Sequence, residues 1–142
     1  MNYKGIIPIG CDHAGFNLKE EIKEFLIQNG YDVKDYGCYS EESIDYPDFG
    51  HAVAKHIEET ESSRGILICG SGNGISMTAN KHASIRCALS WKKEIAELAR
   101  LHNDANILSM PARFISSEEA KSMVDVFFST DFEGGRHAKR VD

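Results

Sequence analysis

The stretch Gly65-Ile66-Leu67-Ile68-Cys69, with the turn Gly70-Ser71-Gly72-Asn73-Gly74 directly after it, decides the fold of this chain. A short run without any charged side chain is typical of a strand buried on both faces of a parallel sheet. Three glycines within five residues predict a tight turn, because glycine adopts backbone conformations that other residues avoid. The sequence therefore predicts a buried strand that passes through a glycine-rich turn into a short helix.

Apolar runs and helical patterns alternate on both sides of this unit. Four further strands are predicted at residues 5–10, 31–36, 86–90 and 105–110. Such alternation indicates a parallel sheet crossed by helices. We therefore predict an α/β fold, a three-layer sandwich with a Rossmann-like five-stranded parallel sheet and helices on both faces, formed by residues 1–142 as one domain. Pro8 cannot donate to a strand ladder, so the first strand is expected to be short or locally bulged.

Each of the longer predicted helices carries one apolar face. The faces consist of Leu18, Ile22, Phe25 and Leu26; of Phe49, Val53, His56 and Ile57; of Ile95, Leu98 and Ala99 within residues 92–101; and of Met123, Val124, Phe127 and Phe128. Gly30 is placed to end the first of these helices. Ser116 and Glu119 form a capping box that opens the last one.

The composition excludes several classes of protein. A net charge of -6 argues against a large nucleic-acid interface, which needs clustered Lys and Arg. No apolar run is long enough to span a membrane and no secretory signal is recognised, so we expect a cytoplasmic protein. The four cysteines never form C-x-x-C, and no cluster in the sequence has metal-ligand spacing. We expect reduced thiols, no metal and no cofactor.

Two segments that follow predicted strands are candidates for ligand binding, because open α/β sheets bind ligands at the carboxyl ends of their strands. Asp12 and His13 follow the first strand and offer an acid and an imidazole to sugar hydroxyls, although Asp12 is equally suited to cap the next helix. The backbone N–H groups of Gly70–Gly74 are suited to an anion. Cys69 is a candidate general base if the loop amides lower its thiol pKa; the alternative is an inert buried cysteine.

The remaining candidates lie in the second half of the chain. His102 and Asn103 belong to a polar segment between a helix and a strand, for which a simple C-cap and turn is the alternative. Arg136 and Arg140 fall four residues apart on one predicted helical face and are suited to grip a phosphate dianion, unless they form only a solvated basic tail. Arg113, just after the fifth strand, is a further candidate contact to a phosphate or hydroxyl.

Five motifs occur in order along nearly the whole chain. They are GCDHAGF at 10–16, DYPDF at 45–49, GILICGSGNGISMTANK at 65–81, RLHNDANIL at 100–108 and EGGRHAKRV at 133–141. Together they closely resemble ribose-5-phosphate isomerase type B, whose superfamily also contains galactose-6-phosphate and allose-6-phosphate isomerases. The resemblance implies an aldose-ketose isomerase of the pentose phosphate pathway that needs no cofactor.

The resemblance also implies a role for each candidate residue. Cys69 matches the base that moves a proton between C1 and C2, and Gly70–Gly74 matches the loop that holds the enediolate. Ser71 matches a hydroxyl that assists proton movement, and His102 matches the residue that opens the furanose ring. The matched substrate contacts are Asp12, His13, Gly70, Ser71, Gly72, Asn73, Gly74, Asn103 and Arg113, with Arg136 and Arg140, in the segment 133–142, at the phosphate. Asn73 departs from the family, which often has an apolar residue there.

The predicted topology separates these residues. Asp12, His13 and Cys69 follow strands, whereas His102 and Asn103 precede one, so the two groups are expected at opposite edges of the parallel sheet. We therefore predict a homodimer in which each site is built from both chains, and leave a tetramer open. The alternatives are isomerisation of a six-carbon sugar phosphate, a phosphate-binding module without catalysis, and a thiol oxidoreductase, which lacks a nearby resolving cysteine in the sequence.

Overall fold

A computed structural model describes residues 3–39 and 46–142 of the chain. Its centre is the run that the sequence singles out, β3 (Gly65–Cys69), in which every residue is buried. Around it lie β1 (Ile6–Cys11), β2 (Asp32–Asp35), β4 (Cys87–Leu89) and β5 (Ile107–Pro111). The described strands form one parallel sheet in the order β2-β1-β3-β5-β4, with cores on both faces. The predicted α/β sandwich is confirmed.

Pro8 lies in the middle of β1, and the strand is neither short nor bulged there. The strand runs for six residues and pairs with β2 from Ile6 onward. On its other side, however, β1 pairs with β3 only from Ile9. Because Pro8 precedes that second ladder, its missing N–H does not interrupt a strand with neighbours on both sides. The expectation of a short or bulged strand was therefore wrong.

Helices cover both faces of the sheet. In the described ranges they are α1 (Phe16–Gln28), α2 (Tyr46–Glu59), α3 (Asn73–Ala79), α4 (Lys93–Asn103), α5 (Ser117–Ser129) and α6 (Ala138–Val141), with short 3-10 turns at His13–Gly15 and Gly135–His137. The capping box of Ser116 and Glu119 opens α5 as predicted, and Gly30 follows the end of α1 with a φ of 87°. Asp45 of the motif at 45–49 lies outside the described residues.

The fourth helix differs from its prediction in two respects. It buries Ala96, Ala99 and Arg100, whereas Leu98 remains 41% exposed. It also continues to Asn103, past the predicted end at residue 101, and closes with Asp104 in the left-handed conformation at φ 47°. Asp104 accepts a hydrogen bond from Arg100 one turn earlier, which stabilises this last turn. Across residues 3–39 and 46–142 no helix has the length and apolar character needed to cross a bilayer.

Candidate active site

The carboxyl ends of β1, β3 and β5 meet at one edge of the sheet and bring three predicted segments together. The Asp12 N–H donates to the Ile68 carbonyl at 3.1 Å, and the Arg113 N–H donates to the Gly70 carbonyl at 3.1 Å. Main-chain hydrogen bonds therefore fix the residues after each strand relative to β3. We call the group Asp12, His13, Cys69, Gly70–Gly74 and Arg113 the carboxyl-edge cluster.

Cys69 and Gly72 form the centre of the carboxyl-edge cluster. Cys69 is 5% exposed, and its Sγ accepts a hydrogen bond from the Gly72 N–H at 3.1 Å. Gly72 has a φ of 80°, and a Cβ added there would lie 2.3 Å from Leu89 Cδ1. Only glycine fits both the conformation and the space. The turn therefore points a backbone donor at the sulfur, and such a contact favours the thiolate form of Cys69.

The sequence left the pKa of Cys69 open, and the surroundings of the thiol give its direction. Burial raises the pKa of the thiol above its ordinary value, and the charge of Asp12 adds to the rise. The backbone N–H groups of Ile75, Gly72 and Ser71 act to lower this pKa, but burial outweighs them. The condition stated from the sequence, a net lowering by the loop amides, is therefore not met in the free chain. A raised pKa makes the thiolate scarcer at neutral pH and, once formed, a stronger base.

Asp12 and His13 start the 3-10 turn that follows β1. Asp12 Oδ1 accepts a hydrogen bond from the Gly15 N–H at 2.9 Å, so the capping role considered from the sequence is real. A cap uses one carboxylate oxygen, and Oδ2 has no partner among the described residues. His13 Nδ1 is buried and likewise makes no hydrogen bond with the described residues. Buried polar atoms usually have partners, so His13 is poised for a ligand.

The mouth of the carboxyl-edge cluster carries Arg113 and Ser71. A Cβ placed on Gly70 would lie 3.2 Å from one Arg113 terminal nitrogen, so the guanidinium rests directly on the glycine turn. Arg113 is exposed and forms no ion pair with the described residues. Ser71 is exposed, and its Oγ accepts a hydrogen bond from the Asn73 N–H at 3.2 Å. A positive charge and a hydroxyl therefore stand where an anionic, hydroxylated ligand approaches Cys69.

A second group of predicted residues lies where α4 ends. His102 and Asn103 occupy the last turn of α4 rather than a loop after it. The His102 ring stacks on the His137 ring, with centroids 4.2 Å apart and planes 17° apart. Glu133 Oε2 lies 4.0 Å from His102 Nε2, and its N–H donates to the Leu101 carbonyl at 3.0 Å. The segment 133–141 is thereby held against the end of α4.

Arg136 and Arg140 belong to the same group but not to one continuous α-helix. Arg136 lies in the 3-10 turn Gly135–His137, and Arg140 lies in α6. Both guanidiniums are exposed, and neither forms an ion pair with the described residues. The two arginines lie four residues apart in a helical segment that starts as this 3-10 turn and continues into α6, and Gly134 and Gly135, with φ values of 72° and 55°, precede Arg136. We call His102, Asn103, Arg136, His137 and Arg140 the amino-edge cluster.

The two clusters lie at opposite edges of the sheet. The Arg86 Nε–H, just before β4, donates to the Asn103 carbonyl at 2.6 Å, which places α4's last turn at the amino ends of the strands. Cys69 pairs with Pro111 at the other end of β5. The five residues of β5 span about 13 Å at about 3.3 Å per residue, and the sheet stands between the clusters. One chain therefore does not bring His102 to Cys69.

Comparison with known proteins identifies the family. A family model described as Ribose/Galactose Isomerase matches residues 7–142. The chain belongs to this family. The ribose-5-phosphate isomerase B of Escherichia coli is 45% identical over 136 residues, which are 96% of this chain and 91% of that protein. The resemblance read from the five motifs and the prediction of an isomerase are confirmed.

Solved structures agree with this assignment. A ribose 5-phosphate isomerase from Thermotoga maritima superposes with a TM-score of 0.95 at 48% identity, over 98% of this chain and 96% of that one. Ribose-5-phosphate isomerase B from Mycoplasma genitalium, with bound ribulose-5-phosphate, superposes with a TM-score of 0.92 at 41% identity, over 96% and 91% of the two chains. The fold of the Ribose/Galactose Isomerase family is thus shared over the whole described sheet.

Two residues that contact His102 were not predicted from the sequence. His137 and Glu133 were inside a quoted motif, but neither was singled out, because their contacts with His102 arise only when the segment folds back on α4. Burial lowers the pKa of His137, and the neighbouring His102 and Arg136 lower it further. Neutral His137 is thus favoured beside the arginines.

His102, Glu133 and His137 also form a cluster that sequence spacing did not reveal. Their ligand atoms lie within 4.8 Å of one another. The two imidazoles are nearly parallel, so their in-plane lone pairs run side by side instead of converging on one ion. His137 Nε2 also accepts a hydrogen bond from Arg136 at 3.4 Å. This geometry favours ring stacking over metal coordination.

Proposed function

We propose that this isomerase interconverts ribose 5-phosphate and ribulose 5-phosphate through a cis-enediolate, with Cys69 as the base. The observation that carries the proposal is the Gly72 N–H placed 3.1 Å from Cys69 Sγ at the buried end of β3. This contact places the thiol that would transfer the proton next to a backbone N–H donor. The names of the relatives, one of them with ribulose-5-phosphate bound, support this substrate.

The chemistry needs a base and an anion hole together. The Cys69 thiolate removes the weakly acidic C2 proton of the open-chain aldose, and the electron pair moves to the C1 oxygen to give the enediolate. The N–H groups of Gly70–Gly74 stabilise that oxygen. Ser71 assists the movement of the hydroxyl proton, so that the C2 oxygen becomes the new carbonyl. Cys69 then returns its proton to C1 and completes the ketose.

The other clustered residues bind and prepare the sugar. His102 opens the furanose ring by proton transfer between the ring oxygen and the anomeric hydroxyl. Asp12, His13 and Asn103 contact hydroxyls, and Arg113 is a further contact. Arg136 and Arg140 hold the phosphate, because exposed guanidiniums without ion-pair partners suit a dianion. Phosphate binding far from C1 and C2 orients the substrate without touching the reacting atoms.

The complete site belongs to a homodimer in this proposal. The carboxyl-edge cluster supplies the base and anion hole, and the amino-edge cluster of a second copy supplies His102 and the phosphate arginines. The 13 Å separation along β5 supports this arrangement, at about 3.3 Å per residue. A partner chain that presents its amino edge brings the two halves into contact, and twofold symmetry then builds two equal sites.

A coupled assay with purified protein tests the reaction. We expect turnover of ribose 5-phosphate in the presence of a chelator, and a fall in kcat of about 10³-fold in Cys69→Ala. The matched control is Cys87→Ala, which removes a thiol from β4, a strand separated from β3 by β5, and leaves most of the rate. Turnover of allose 6-phosphate alone would move the substrate to a six-carbon sugar. Full activity of Cys69→Ala would contradict the role of the base.

A further inference from the structure

Ser109 is a polar residue in an otherwise apolar strand. It sits in the middle of β5, paired with Leu67 on one side and Leu89 on the other, and it is fully buried. Burying a hydroxyl without a partner costs about 1–3 kcal/mol by mutational measures, so its contact is informative. Ser109 Oγ donates a hydrogen bond to the Gly72 carbonyl at 3.0 Å.

A second buried serine converges on the same oxygen. Ser76 Oγ, in the first turns of α3, donates to the Gly72 carbonyl at 2.6 Å, and the Ser76 N–H approaches it at 3.3 Å. Two side chains from different elements thus hold one backbone carbonyl in the interior. Such convergence exceeds what starting α3 requires, since a helical N-cap carbonyl needs only the backbone donor.

The hydrogen bonds to the Gly72 carbonyl matter because glycine has no side chain that restricts its backbone to one conformation. A glycine rotates freely about φ and ψ, and the φ of 80° at Gly72 is only one of the conformations open to it. Fixing its carbonyl restricts this rotation, and the same residue's N–H then keeps its direction toward Cys69 Sγ. The hydrogen bonds to the Gly72 carbonyl also fix the plane of the peptide between Gly72 and Asn73. The Asn73 N–H belongs to that peptide and points in the direction opposite to the carbonyl.

We propose that Ser109 and Ser76 are positioning residues of the isomerase, which lock the Gly72 carbonyl and thereby aim the Gly72 N–H at Cys69 Sγ. The inference rests on the proposed role of Cys69. Neither serine touches the substrate in this proposal. Their hydroxyls act through the glycine turn, on the sulfur and on the anion hole.

The test compares Ser109→Ala, Ser76→Ala and their double variant with two controls. Ser90→Ala is the matched control, because Ser90 is also fully buried in the neighbouring strand region, and its Oγ makes no hydrogen bond with the described residues. Ser76→Thr keeps a hydroxyl at the same position of α3 and is the conservative rescue. Thermal melting of each variant establishes that it is folded before any rate is compared.

The first readout is the pH dependence of Cys69 alkylation by iodoacetamide, measured on the Cys69 peptide by mass spectrometry. Losing an aimed donor disfavours the thiolate, so each alanine variant should shift the midpoint upward by about half a pKa unit and the double variant by about one. Ser90→Ala and Ser76→Thr should follow the wild-type curve. This readout needs no substrate, so it stands even if Cys69→Ala proves active and the proposed function fails.

The second readout is the isomerase reaction itself. Each alanine variant should lose about tenfold in kcat with little change in KM, because the anion hole acts on the enediolate more than on the bound sugar. The midpoint of the pH profile of kcat/KM should rise in parallel with the alkylation midpoint. Wild-type pH profiles for both alanine variants and their double would overturn the proposal, and so would an equal shift in Ser90→Ala.

Discussion

The two clusters of this isomerase are built in contrasting ways. The carboxyl-edge cluster grows out of buried strand ends, with Cys69 5% exposed and Gly72 held at both its N–H and its carbonyl. The amino-edge cluster lies on the last turn of α4 and a short terminal segment, where Arg136 and Arg140 are exposed. The half that carries Cys69 is buried, and the half that carries the arginines is peripheral.

This contrast fits the roles proposed for the two halves. Stabilising an enediolate requires donors that are already aimed when charge develops, which a core scaffold provides. Gripping a flexible phosphate tolerates side chains that settle on the ligand, and long arginines supply the reach. The following predictions test whether the halves differ as described.

The largest expected effect comes from mixing two inactive variants. Cys69→Ala and His102→Ala chains, unfolded together and refolded, should form mixed dimers with one intact site each. Half of the dimers are then mixed, so about a quarter of the wild-type activity should return. The assay is turnover of ribose 5-phosphate before and after mixing.

Mixing Cys69→Ala with His13→Ala is the control for this experiment. Both lesions lie in the carboxyl-edge cluster, so every site of the mixed dimer carries one of them and no activity should return. Recovery in this control, or none in the first mixture despite subunit exchange, would refute the division of the site between chains.

A pair of glycines with similar φ but different ψ, -15° at Gly72 and -129° at Gly134, sharpens the comparison next. Gly72→Ala should lower kcat by about 10²-fold, because Leu89 or the turn has to move and the anion hole is lost. Gly134→Ala, at a φ of 72° and a ψ of -129° with no atom within 4 Å of the added Cβ, should only cost about 1–3 kcal/mol of backbone strain. Steady-state kinetics and thermal melting measure both. Equal losses of kcat in the two variants would show that the position of Gly72 beside Cys69 and Leu89 has no effect on the rate.

A buried lysine beneath the carboxyl-edge cluster tests its dependence on the core. Lys19 is fully buried, and its Nζ donates to both Asp35 oxygens and, at 2.6 Å, to the Cys38 carbonyl. Cys38 in turn donates to the Asp12 carbonyl at 3.1 Å. Lys19→Met should reduce the free energy of unfolding by about 3–5 kcal/mol, as loss of one member of a buried ion pair does.

Lys23→Met is the matched control for Lys19, because Lys23 binds the same Asp35 carboxylate at 3.0 Å from a 30% exposed position. Its loss should cost no more than about 1 kcal/mol. Urea denaturation measures both variants. A small effect of Lys19→Met would mean that the carboxyl-edge cluster is less dependent on its buried scaffold than the structure indicates.

The smallest effect is expected at the phosphate arginines. Arg140→Gln should raise KM for ribose 5-phosphate about tenfold and leave kcat within about twofold, since it removes one charge-assisted contact that forms equally in the ground state and transition state. Lys139→Gln removes an exposed neighbouring charge and should change neither constant. A fall in kcat alone for Arg140→Gln would contradict the assignment.

The sequence predicted the sheet well because its signals are local. Continuous apolar runs such as β3 are recognisable without knowledge of their neighbours, and a capping box such as that of Ser116 specifies a helix start by itself. The end of α4 was missed because polar His102 and Asn103 look like a turn, while the Asp104 to Arg100 contact that extends the helix depends on side-chain reach. Leu98 is apolar by sequence but faces away from the core of this chain.

The site was predictable as a set of residues but not as an arrangement. Family motifs pointed to the candidates, and strand order alone separated them onto two edges. The raised pKa of Cys69 required knowing how burial competes with three backbone donors. The stacking of His102 on His137, and the hydrogen bond of Ser109 to Gly72, join residues far apart in the chain and leave no local pattern.

The placement of the two clusters at opposite edges of the sheet determines how much activity remains when a cell carries two different copies of the gene. With shared sites, a chain carrying only Cys69→Ala silences one site when it pairs with a wild-type chain and leaves the other intact. A chain carrying both Cys69→Ala and His102→Ala silences both, because each site of the mixed dimer receives one of its lesions. Two lesions in one gene copy would therefore leave active only the quarter of dimers that pair two wild-type chains, and the same two lesions on separate copies would return about the same quarter of the activity through the mixed dimers.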